Sequence, residues 1–329
     1  MSPELESAQI VGVDGGATSA RACRVERTPA GLRVLAASPT RVHPLSPGFV
    51  PVLREAAHSP RALREHQLAR AWSASLAEAA LDVLGQGPLV LGVAMPGLKT
   101  ADGRGLAWLA NGPRAPDFLD QLEACLAPRV EAWAAPAQGL FSDAVAAAEG
   151  ERAAVGGRLV GVRHGWYLGG GTGVGEAAVL EGRALALDDP RLGWPRAWEL
   201  DAGGATFEAR LSMAGLVERC GGFPEARPDD ARVREVLAAA ARDLALLLER
   251  RAADWRAAGL GELERVVVGQ RLGALLADPR GARFAADLER ELAARDLPAR
   301  GWVEAGATHE RAALGAASLA LAALEAAGG

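Results

Sequence analysis

Two glycine-rich turns, one in each half of the chain, constrain the fold more than any other feature. The first lies in residues 13–19 (VDGGATS) and the second in residues 167–175 (YLGGGTGVG). An apolar, strand-like run precedes each turn and another follows it, which is the pattern of a β-hairpin. Because glycine has no side chain, the backbone N–H groups of such turns can approach an anion closely. The sequence therefore predicts two phosphate-binding hairpins, which we call the first turn (residues 14–18) and the second turn (residues 169–173).

Neither turn matches the two most familiar nucleotide-binding motifs. The pattern G-x-x-x-x-G-K-[ST] does not occur, and Lys99, the only lysine of the chain, lies elsewhere. A dinucleotide fingerprint requires a helix after the glycines, whereas a strand is predicted here. Taken alone, the first turn is equally consistent with a plain hairpin, for which Asp-Gly is a common choice. The second, similar turn favours the phosphate-binding interpretation.

The order of predicted elements is similar in the two halves of the chain. Each half begins with strands joined by a glycine-rich hairpin and continues with helix, strand and helix. Mixed strands and crossover helices predict an α/β fold, and two similar halves predict two lobes that face a ligand-binding cleft. The predicted strands lie at residues 9–14, 20–25, 32–36, 88–94, 129–133, 159–162, 165–168, 174–180, 265–269 and 301–304. The predicted helices lie at residues 63–84, 117–126, 142–151, 205–218, 232–258, 272–294, with a break near residues 279–281, and 309–327.

Composition excludes several classes of protein. The formal net charge is −5, which argues against a general nucleic-acid binder, because such binding depends on clustered positive charge. The cysteines are far apart, so we expect no disulfide framework and a reducing compartment. Residues 1–6 are polar and acidic, unlike a secretory signal, and the apolar run 312–324 is too short to span a bilayer. We therefore expect a cytoplasmic protein that binds neither nucleic acid nor membranes.

A series of short segments along the chain follows the order and spacing of one family's motifs. The segments are residues 11–24, 92–97 (GVAMPG), 105–118, 142–151 (SDAVAAAEGE), 168–182, 266–269 (VVVG) and 312–316 (AALGA). In this order they resemble the ROK family (repressors, open reading frames and sugar kinases) of the actin, heat-shock-protein and sugar-kinase superfamily. The resemblance implies two actin-like, ribonuclease H-like lobes around a central cleft. It implies a small lobe of residues 1–141 plus 312–329 and a large lobe of residues 142–311.

The same resemblance implies an ATP-dependent sugar kinase, an ATP:sugar phosphotransferase that acts on O6 of a hexose or N-acetylhexosamine. It implies Asp143 as the general base, Asp14 as a ligand of Mg²⁺ through water, and, by analogy alone, a homodimer. The residues implied to bind phosphate or ATP are Asp14, Gly15, Gly16, Thr18, Gly169, Gly170, Gly171, Thr172, Gly173 and Gly269. The residues implied to bind the sugar, between the lobes, are Gly97, Asn111, Ser142, Glu199 and Glu208.

The residue types suit these roles, but each residue also has a plainer interpretation. The carboxylate of Asp143, next to an alanine-rich helix, can take a proton from a sugar hydroxyl or can merely cap the helix. Asn111 can bind a sugar hydroxyl or can merely form an Asn-Gly-Pro turn. Glu199 and Glu208 can accept hydrogen bonds from sugar hydroxyls or can lie on solvated helix faces. The sequence alone leaves these alternatives open.

The chain departs from the resembled family in three respects that bear on function. The family's histidine after the position of Glu199, which commonly contacts the sugar and in many members a zinc ion, is replaced by residues 201–203 (DAG). The zinc cysteines are missing as well, since Cys220 stands alone, and we therefore expect no zinc. Ser142 replaces the usual asparagine before the implied catalytic aspartate.

These departures keep two other functions open. The missing histidine favours a non-enzymatic sugar sensor of the ROK type. DNA-binding repressors of the family carry an N-terminal helix-turn-helix, which we do not expect here because a strand is predicted from residue 9. A BadF/BadG-type ATPase is compatible with the first turn, although the segment 92–97 and Asn111 fit it less well.

Overall fold

The protein forms two compact units, each built around one main β-sheet. The computed structural model describes residues 7–44, 49–54, 58–298, 302–306 and 310–327. The first unit comprises Met1–Val155 and Glu310–Gly329, and the second comprises Gly156–His309. The helix that begins at Asp143 belongs to the first unit, whereas the family resemblance implies a second lobe that begins at residue 142.

The strands and helices of the described residues are numbered in chain order. The strands are β1 (Gln9–Gly15), β2 (Ser19–Thr28), β3 (Gly31–Ala37), β4 (Arg41–Val42), β5 (Leu89–Met95), β6 (Leu98–Lys99), β7 (Leu106–Trp108), β8 (Leu140–Ser142), β9 (Gly165–Gly170), β10 (Val174–Leu180), β11 (Arg183–Ala186), β12 (Arg265–Gly269) and β13 (Val303–Ala305). The helices are α1 (Leu63–Leu81), α2 (Phe118–Leu126), α3 (Asp143–Ala153), α4 (Phe207–Leu211), α5 (Met213–Cys220), α6 (Ala231–Ala257), α7 (Gln270–Ala277), α8 (Ala282–Ala293) and α9 (Arg311–Ala327). Short 3₁₀ helices lie at Pro224–Ala226 and Pro279–Gly281. Within the described residues, none of these helices combines enough length with enough hydrophobicity to cross a lipid bilayer.

The main sheet of the first unit has the strand order β3-β2-β1-β5-β8, with β4 paired to β2. Strands β1, β2 and β3 form an antiparallel meander, whereas β5 runs parallel to β1 and β8 runs parallel to β5. The register pairs Asp14 with Ala94 and Met95 with Ser142. Because β1, β5 and β8 end at the same edge of the sheet, the first turn, the segment after β5 and the start of α3 lie together at that edge.

The main sheet of the second unit repeats this arrangement, in the order β11-β10-β9-β12-β13. Strands β9, β10 and β11 are antiparallel, and β12 and β13 continue the sheet in parallel to β9. Gly169 in β9 pairs with Gly269 at the end of β12, which places the second turn beside the end of β12. Both Glu181 and Gly182, between β10 and β11, have positive φ (51° and 75°), as a two-residue hairpin turn requires. The α/β class and the duplicated order predicted from the sequence are confirmed.

Successive residues of β1 pack against different helices, as expected of a central strand that is buried on both faces. Val11 and Val13 belong to a core cluster that includes Trp72 of α1. Ile10 belongs to a cluster on the other face, which includes Ala313 of α9. The first sheet is therefore covered by helices on both sides.

Glycines allow helix α9 to pack closely on the first sheet and on α3. A Cβ atom at Gly12 of β1 or at Gly92 of β5 would overlap the backbone of α9. In the same way, a Cβ atom at Gly150 of α3 would overlap the first residue of α9, and one at Gly315 of α9 would overlap the carbonyl group of Ala146. Backbone thus meets backbone on this side of the sheet, with no room for an added methyl group.

A buried ion pair lies in the core of the second unit. The guanidinium of Arg251 in α6 donates to both carboxylate oxygens of Glu176 in β10, at 3.0 and 2.9 Å. Arg251 also donates to the carbonyl of Pro195 at 2.8 Å and lies 5.0 Å from the ring centroid of Trp166. Glu176 in turn accepts the backbone N–H of Ala197 at 2.7 Å. Both charges are therefore hydrogen-bonded from several sides, which a buried pair needs in order to be tolerated.

Three predictions of secondary structure are wrong. Residues 129–133 make only an isolated bridge to β5, at Leu89, and the strand that pairs with the last residues of β5 is β8, which was not predicted. Residues 159–162 form a turn, since Gly161 adopts φ 73°, a conformation that interrupts a strand. Residues 205–218 do not form one helix, because Ser212 leaves the helical conformation and caps α5. The predicted ends at Gly301 and His309 lie outside the described residues.

Candidate active site

The carboxyl ends of β1, β5 and β8 bring together residues from three distant parts of the sequence. The first turn begins in the last residues of β1, Gly97 and Lys99 follow β5, and Asp143 follows β8 as the first residue of α3. In open α/β sheets, ligands bind outside the carboxyl ends of the strands. We therefore take this edge of the first sheet as the candidate active site.

Two half-buried carboxylates, those of Asp14 and Asp143, lie close enough at this edge to influence each other's charge. Burial and the charge of Asp143 raise the pKa of Asp14 to about 7, against the opposing effect of Arg21. Burial also raises the pKa of Asp143, whereas the charge of Lys99 and the backbone N–H of Ala144 lower it. Two carboxylates placed in this way favour a bound proton or cation.

The carboxylate of Asp14 fits a magnesium ion that arrives with a phosphate ligand. Mg²⁺ keeps several of its waters and is typically held by one or two carboxylates together with substrate phosphates. Within the described residues, no group of three or more His, Cys, Asp or Glu side chains is placed to hold a metal ion. Asp14 stands at the start of the first turn, and its raised pKa marks a negative charge that a nearby cation would stabilise. It therefore suits a water-mediated contact with Mg²⁺.

Lys99 adds a positive charge to the site, which the sequence analysis did not anticipate. Its Nζ donates to the carbonyl oxygens of Met95, Pro96 and Gly97 at 2.6, 3.2 and 2.9 Å. Burial lowers the pKa of Lys99 to about 8, against the opposing effect of Asp143. Because an ammonium group has three N–H donors and three carbonyls accept here, Lys99 acts on Asp143 as a fixed charge. The available signal in the sequence was that Lys99 is the only lysine of the chain.

His43 fixes the backbone of the first turn, a role that no motif in the sequence indicates. Its backbone N–H donates to the carbonyl of Thr18 at 2.9 Å. Its ring Nε2 lies 3.0 Å from the carbonyl oxygen of Gly16, so we assign the proton to Nε2, because a carbonyl can only accept. Burial lowers the pKa of His43 to about 4, and the ring is therefore neutral near pH 7. Neither contact uses an N–H group of the turn, and these are the groups that would bind phosphate.

The loop of residues 108–112, which carries Asn111, lies beside Gly97. Gly97 has φ 86°, and a Cβ atom there would overlap the backbone of this loop. Asn111 is exposed. A buried ion pair between Arg114 and Glu65, 2.7 Å apart, fixes the chain just after the loop. The structure therefore brings the segment of Asn111 next to the segment that follows β5.

Asp143 is not the N-cap of its helix. The cap position of α3 is occupied by Ser142, whose side chain makes no capping hydrogen bond, and Asp143 is the first helical residue. An acidic side chain in the first turn of a helix interacts favourably with the helix dipole. Asp143 thus lies one position after the cap, and its role in chemistry stays a prediction.

The second turn is held between β9, β10 and β12 in the second unit. The carbonyl of Gly171 accepts the backbone N–H of Met213 at 2.8 Å, which ties the turn to the start of α5. Gln270 follows Gly269 with φ 56°, a conformation that is uncommon for residues other than glycine. Its side chain lies against the turn, because a Cβ atom at Gly169 would come within 2.9 Å of its Cδ. The phosphate-binding candidates of the second unit thus share one edge of the second sheet.

The two glutamates implied to bind the sugar have different surroundings. Glu208 in α4 is half-buried, and its Oε2 accepts the backbone N–H of Val174 at 3.0 Å. Burial raises the pKa of Glu208, although the N–H of Val174 lowers it. Glu199 is exposed, and its Oε2 accepts the backbone N–H of Arg196 at 2.8 Å. Glu208 therefore lies at the second turn, whereas Glu199 lies on the loop that precedes α4.

Hydrogen bonds close the loop in which the resembled family has its histidine. The carboxylate of Asp201 accepts the backbone N–H groups of Gly203 and Gly204 at 3.1 and 3.0 Å. Arg210 of α4 donates to the carbonyl of Gly203 at 2.7 Å. The loop between Glu199 and α4 is thus tied to itself and to the helix that follows.

Solved structures of sugar kinases share this fold. A ROK family glucokinase from Streptomyces griseus, in complex with glucose and AMPPNP, has a TM-score of 0.66 and 16% identity, covering 95% of this chain and 99% of that chain. A ROK hexokinase from Thermus thermophilus has a TM-score of 0.59 and 20% identity, covering 97% of this chain and 99% of that chain. A ROK family transcriptional regulator, a homolog of the E. coli MLC protein, has a TM-score of 0.56 and 13% identity, covering 97% of this chain and 78% of that chain.

The likeness to these proteins is one of fold. No protein-family model and no curated protein matches the sequence. The chain is an α/β protein of the actin-like class, with a main sheet of the same strand pattern in each of its two units. More particularly, its fold is that of the ROK-family sugar kinases, as the order of its motifs implied.

Proposed function

We propose that this protein is an ATP-dependent sugar kinase that phosphorylates O6 of a hexose or N-acetylhexosamine, with Asp143 as the general base. The observation that carries the proposal is the convergence of Asp143, Asp14 and the first turn at one edge of the first sheet. A base, a carboxylate for Mg²⁺ and a phosphate-binding turn are parts that phosphoryl transfer to a hydroxyl needs. The fold shared with a glucokinase and a hexokinase supports the same conclusion.

Asp143 takes the proton of the sugar hydroxyl while the hydroxyl oxygen attacks the γ-phosphorus of ATP. The bond from this phosphorus to the bridging oxygen breaks, and ADP leaves with the electron pair. Burial raises the pKa of Asp143 and so makes its carboxylate a stronger base, and the charge of Lys99 helps to keep it ionised. Positioning and charge stabilisation supply most of the remaining acceleration.

The first turn binds phosphate through the backbone N–H groups of Gly15 and Gly16 and through Thr18, and Asp14 holds Mg²⁺ through water. When bound, Mg²⁺ neutralises negative charge on the phosphate oxygens. In the second unit, the second turn and Gly269 bind the nucleotide. The support for these assignments is that each glycine-rich turn lies at the carboxyl ends of parallel strands.

Five residues are proposed to bind the sugar hydroxyls. Asn111 supplies an amide that can donate and accept, and each carboxylate of Glu199 and Glu208 can accept two hydroxyl groups. Gly97, which follows β5, and Ser142, the last residue of β8, complete the set. ATP and one sugar are thus the small-molecule partners of the protein.

We also propose, by analogy with the resembled kinases, that the protein is a cytoplasmic homodimer. The wide separation of its cysteines is compatible with a reducing compartment. Sedimentation velocity at micromolar concentration tests the assembly, and a mass of 34.0 kDa, that of one chain, would contradict the dimer.

A non-enzymatic sugar sensor is the second candidate function. It is favoured by the missing histidine, in whose region Asp201 closes the loop by hydrogen bonds. A transcriptional regulator also shares the fold. Such a sensor binds a sugar without turning over ATP, whereas ATP hydrolysis that is indifferent to sugars would support a BadF/BadG-type ATPase.

Coupled ADP release tests the proposed function. The assay uses Mg-ATP with glucose, mannose, fructose, allose, N-acetylglucosamine and N-acetylmannosamine, and compares the wild type with Asp143→Asn. Asp120→Asn is the matched control, because Asp120 has 66% of its side chain exposed. We expect turnover of at least one sugar, unchanged in the control and about 10²–10⁴-fold slower in Asp143→Asn. Sugar binding without turnover in the wild type would instead support the sensor.

A further inference from the structure

A continuous series of contacts joins the first turn to the 108–112 loop. The first contact is the hydrogen bond from the ring of His43 to the carbonyl of Gly16, at 3.0 Å. The second is the stack of His43 on Trp72, with ring centroids 4.2 Å apart and an interplanar angle of 16°. The third is the approach of Trp72 to Gly112, where a Cβ atom would lie 2.5 Å from Cη2 of the indole. Two side chains thus connect two segments that are far apart in the sequence.

Helix α1 gives this series a rigid support. Trp72 and Leu76 lie one helical turn apart, on the same face of α1, and both are buried. Leu76 packs directly against the first turn, because a Cβ atom at Gly15 would lie 2.9 Å from its Cδ2. One face of α1 therefore contacts the first turn directly and the 108–112 loop through Trp72.

Packing alone does not explain why these positions carry histidine and tryptophan. His43 is 2% exposed and Trp72 is 3% exposed. Within the described residues, Nδ1 of His43 and Nε1 of Trp72 have no hydrogen-bond partner. Buried polar atoms without partners destabilise a fold, and two apolar side chains of similar size would fill the same space without them. Two apolar side chains would lack two contacts that this pair makes. These are the hydrogen bond from His43 to the first turn and the contact of the Trp72 ring with the loop.

We propose that His43 and Trp72 are positioning residues, which hold the first turn and the 108–112 loop in one arrangement and so make phosphate binding and sugar binding favour each other. The identity of the two ligands rests on the proposed function, whereas the contacts do not. His43 holds the turn by carbonyl oxygens only, so its contacts do not compete with a phosphate for N–H groups. Trp72 meets the loop at Gly112, the neighbour of Asn111.

Variants that break one contact at a time test the positioning role. His43→Phe keeps a ring that can stack on Trp72 and loses the hydrogen bond to Gly16. Trp72→Leu loses both the stack and the contact with Gly112. Leu126→Val is the matched control for a general loss of stability, because Leu126 belongs to the same core cluster and lies in α2.

Amide order parameters, measured by NMR on the full chain, report the result. We expect His43→Phe to lower them in the first turn only, Trp72→Leu to lower them in the first turn and the 108–112 loop, and Leu126→Val to lower them in neither. Wild-type order parameters in both segments of His43→Phe and Trp72→Leu would overturn the proposal. Thermal unfolding of each variant, recorded alongside, shows that the comparison is made on folded protein.

Calorimetry tests the consequence for the ligands. The Kd of MgADP is measured with and without the sugar that the wild type phosphorylates, or with glucose if it phosphorylates none of the panel. We expect the sugar to lower the Kd of MgADP in the wild type and in Leu126→Val. In Trp72→Leu, we expect the factor by which the sugar lowers this Kd to be about tenfold smaller. An equal gain in Trp72→Leu refutes the coupling. If the wild type binds neither ligand, both the proposed function and the coupling between the ligands are refuted. The order parameters then decide by themselves whether His43 and Trp72 are positioning residues.

Discussion

The carboxylate of Glu208 accepts the backbone N–H of Val174 at 3.0 Å, and Val174 is the residue that follows the second turn. Gly173 packs beside the same carboxylate, since a Cβ atom there would lie 2.9 Å from Oε2. A side chain implied to bind the sugar therefore also shapes the turn that is implied to bind the nucleotide. Substitutions at Glu208 should consequently affect both ligands.

We expect Glu208→Ala to weaken MgADP binding about tenfold, because a hydrogen bond to a charged acceptor contributes about 1.5–3 kcal/mol. Glu208→Gln keeps an oxygen that can accept from Val174 and should bind MgADP nearly as the wild type does. Calorimetry of the two variants, with the exposed Glu199→Ala as a control, measures the difference. An effect of Glu208→Ala on sugar affinity alone would contradict the double role.

Replacing Lys99 should change the pH dependence of the proposed kinase reaction. The charge of Lys99 opposes the effect of burial on Asp143, so Lys99→Met should raise the pKa of Asp143 further. A base must be deprotonated to act, and the acid limb of kcat/KM should therefore move to higher pH. On that limb we expect activity to fall roughly tenfold, since unit charges near a protein surface interact by on the order of 1–4 kcal/mol.

Two measurements separate this effect from a loss of structure. Lys99→Arg keeps the positive charge and should keep the acid limb near its wild-type position. Carbon-13 NMR of the Asp143 carboxyl group follows its titration directly, without turnover, in the wild type and in both Lys99 variants. An unchanged titration of Asp143 in Lys99→Met would show that the lysine does not govern its charge.

The neutral, buried ring of His43 should make the first unit sensitive to mild acid. Its pKa is about 4 in the folded protein against an ordinary value of 6.5, so the folded state binds fewer protons between these pH values. The stability that the neutral ring contributes is therefore complete above pH 6.5 and is lost as the pH falls towards 4, by about 3 kcal/mol in full. Urea unfolding of the wild type and of His43→Phe between pH 7 and pH 4 measures it. Parallel stability curves for the two proteins would refute this expectation.

Because α9 packs so closely on α3, we expect one methyl group added at Gly315 to change the free energy of unfolding strongly. In an isolated helix, Gly315→Ala would be stabilising by about 1 kcal/mol. In the protein, the new Cβ atom would overlap the carbonyl of Ala146 and lie 2.6 Å from the backbone nitrogen of Gly150, neither of which can move alone. We therefore expect a net destabilisation of about 3 kcal/mol.

Gly139→Ala is the matched control for this substitution. Its new Cβ atom would come no closer than 3.5 Å to the described atoms around it, the nearest being the carbonyl oxygen of Gly103. Chemical unfolding followed by circular dichroism compares the two variants with the wild type. Similar midpoints for Gly315→Ala and Gly139→Ala would show that α9 shifts to make room.

Much of the fold could be predicted because its main signals are local. An apolar run that ends in a glycine pair and is followed by another apolar run indicates a hairpin, and this pattern identifies both turns and the α/β class. The strand beside β5 could not be predicted in the same way. Strand β8 has three residues, too few for a periodic pattern, whereas residues 129–133 look more like a strand but make only an isolated bridge.

Some residues of the candidate site could likewise be predicted from the sequence, and others could not. Asp14 and Asp143 could be proposed because the segments that carry them resemble motifs of the ROK family, and the residue types suit the implied roles. Lys99 and His43 could not, because their roles depend on which backbone atoms the folded chain brings near them. Lys99 reaches the carbonyls at the end of β5, and His43 reaches Gly16 from beyond β4. No local pattern in the sequence records such contacts.

Helix α9 also constrains when the first unit can finish folding. This helix covers one face of the first sheet, yet it is separated from β8 and α3 in the chain by the whole of the second unit. During synthesis, which proceeds from the N-terminus, the apolar side chains of Ile10, Val25 and Val90 remain without this cover until α9 emerges. The second unit is continuous in sequence and can complete its sheet earlier. The unit that is begun first is therefore completed last, and one face of its sheet stays uncovered while the second unit is made.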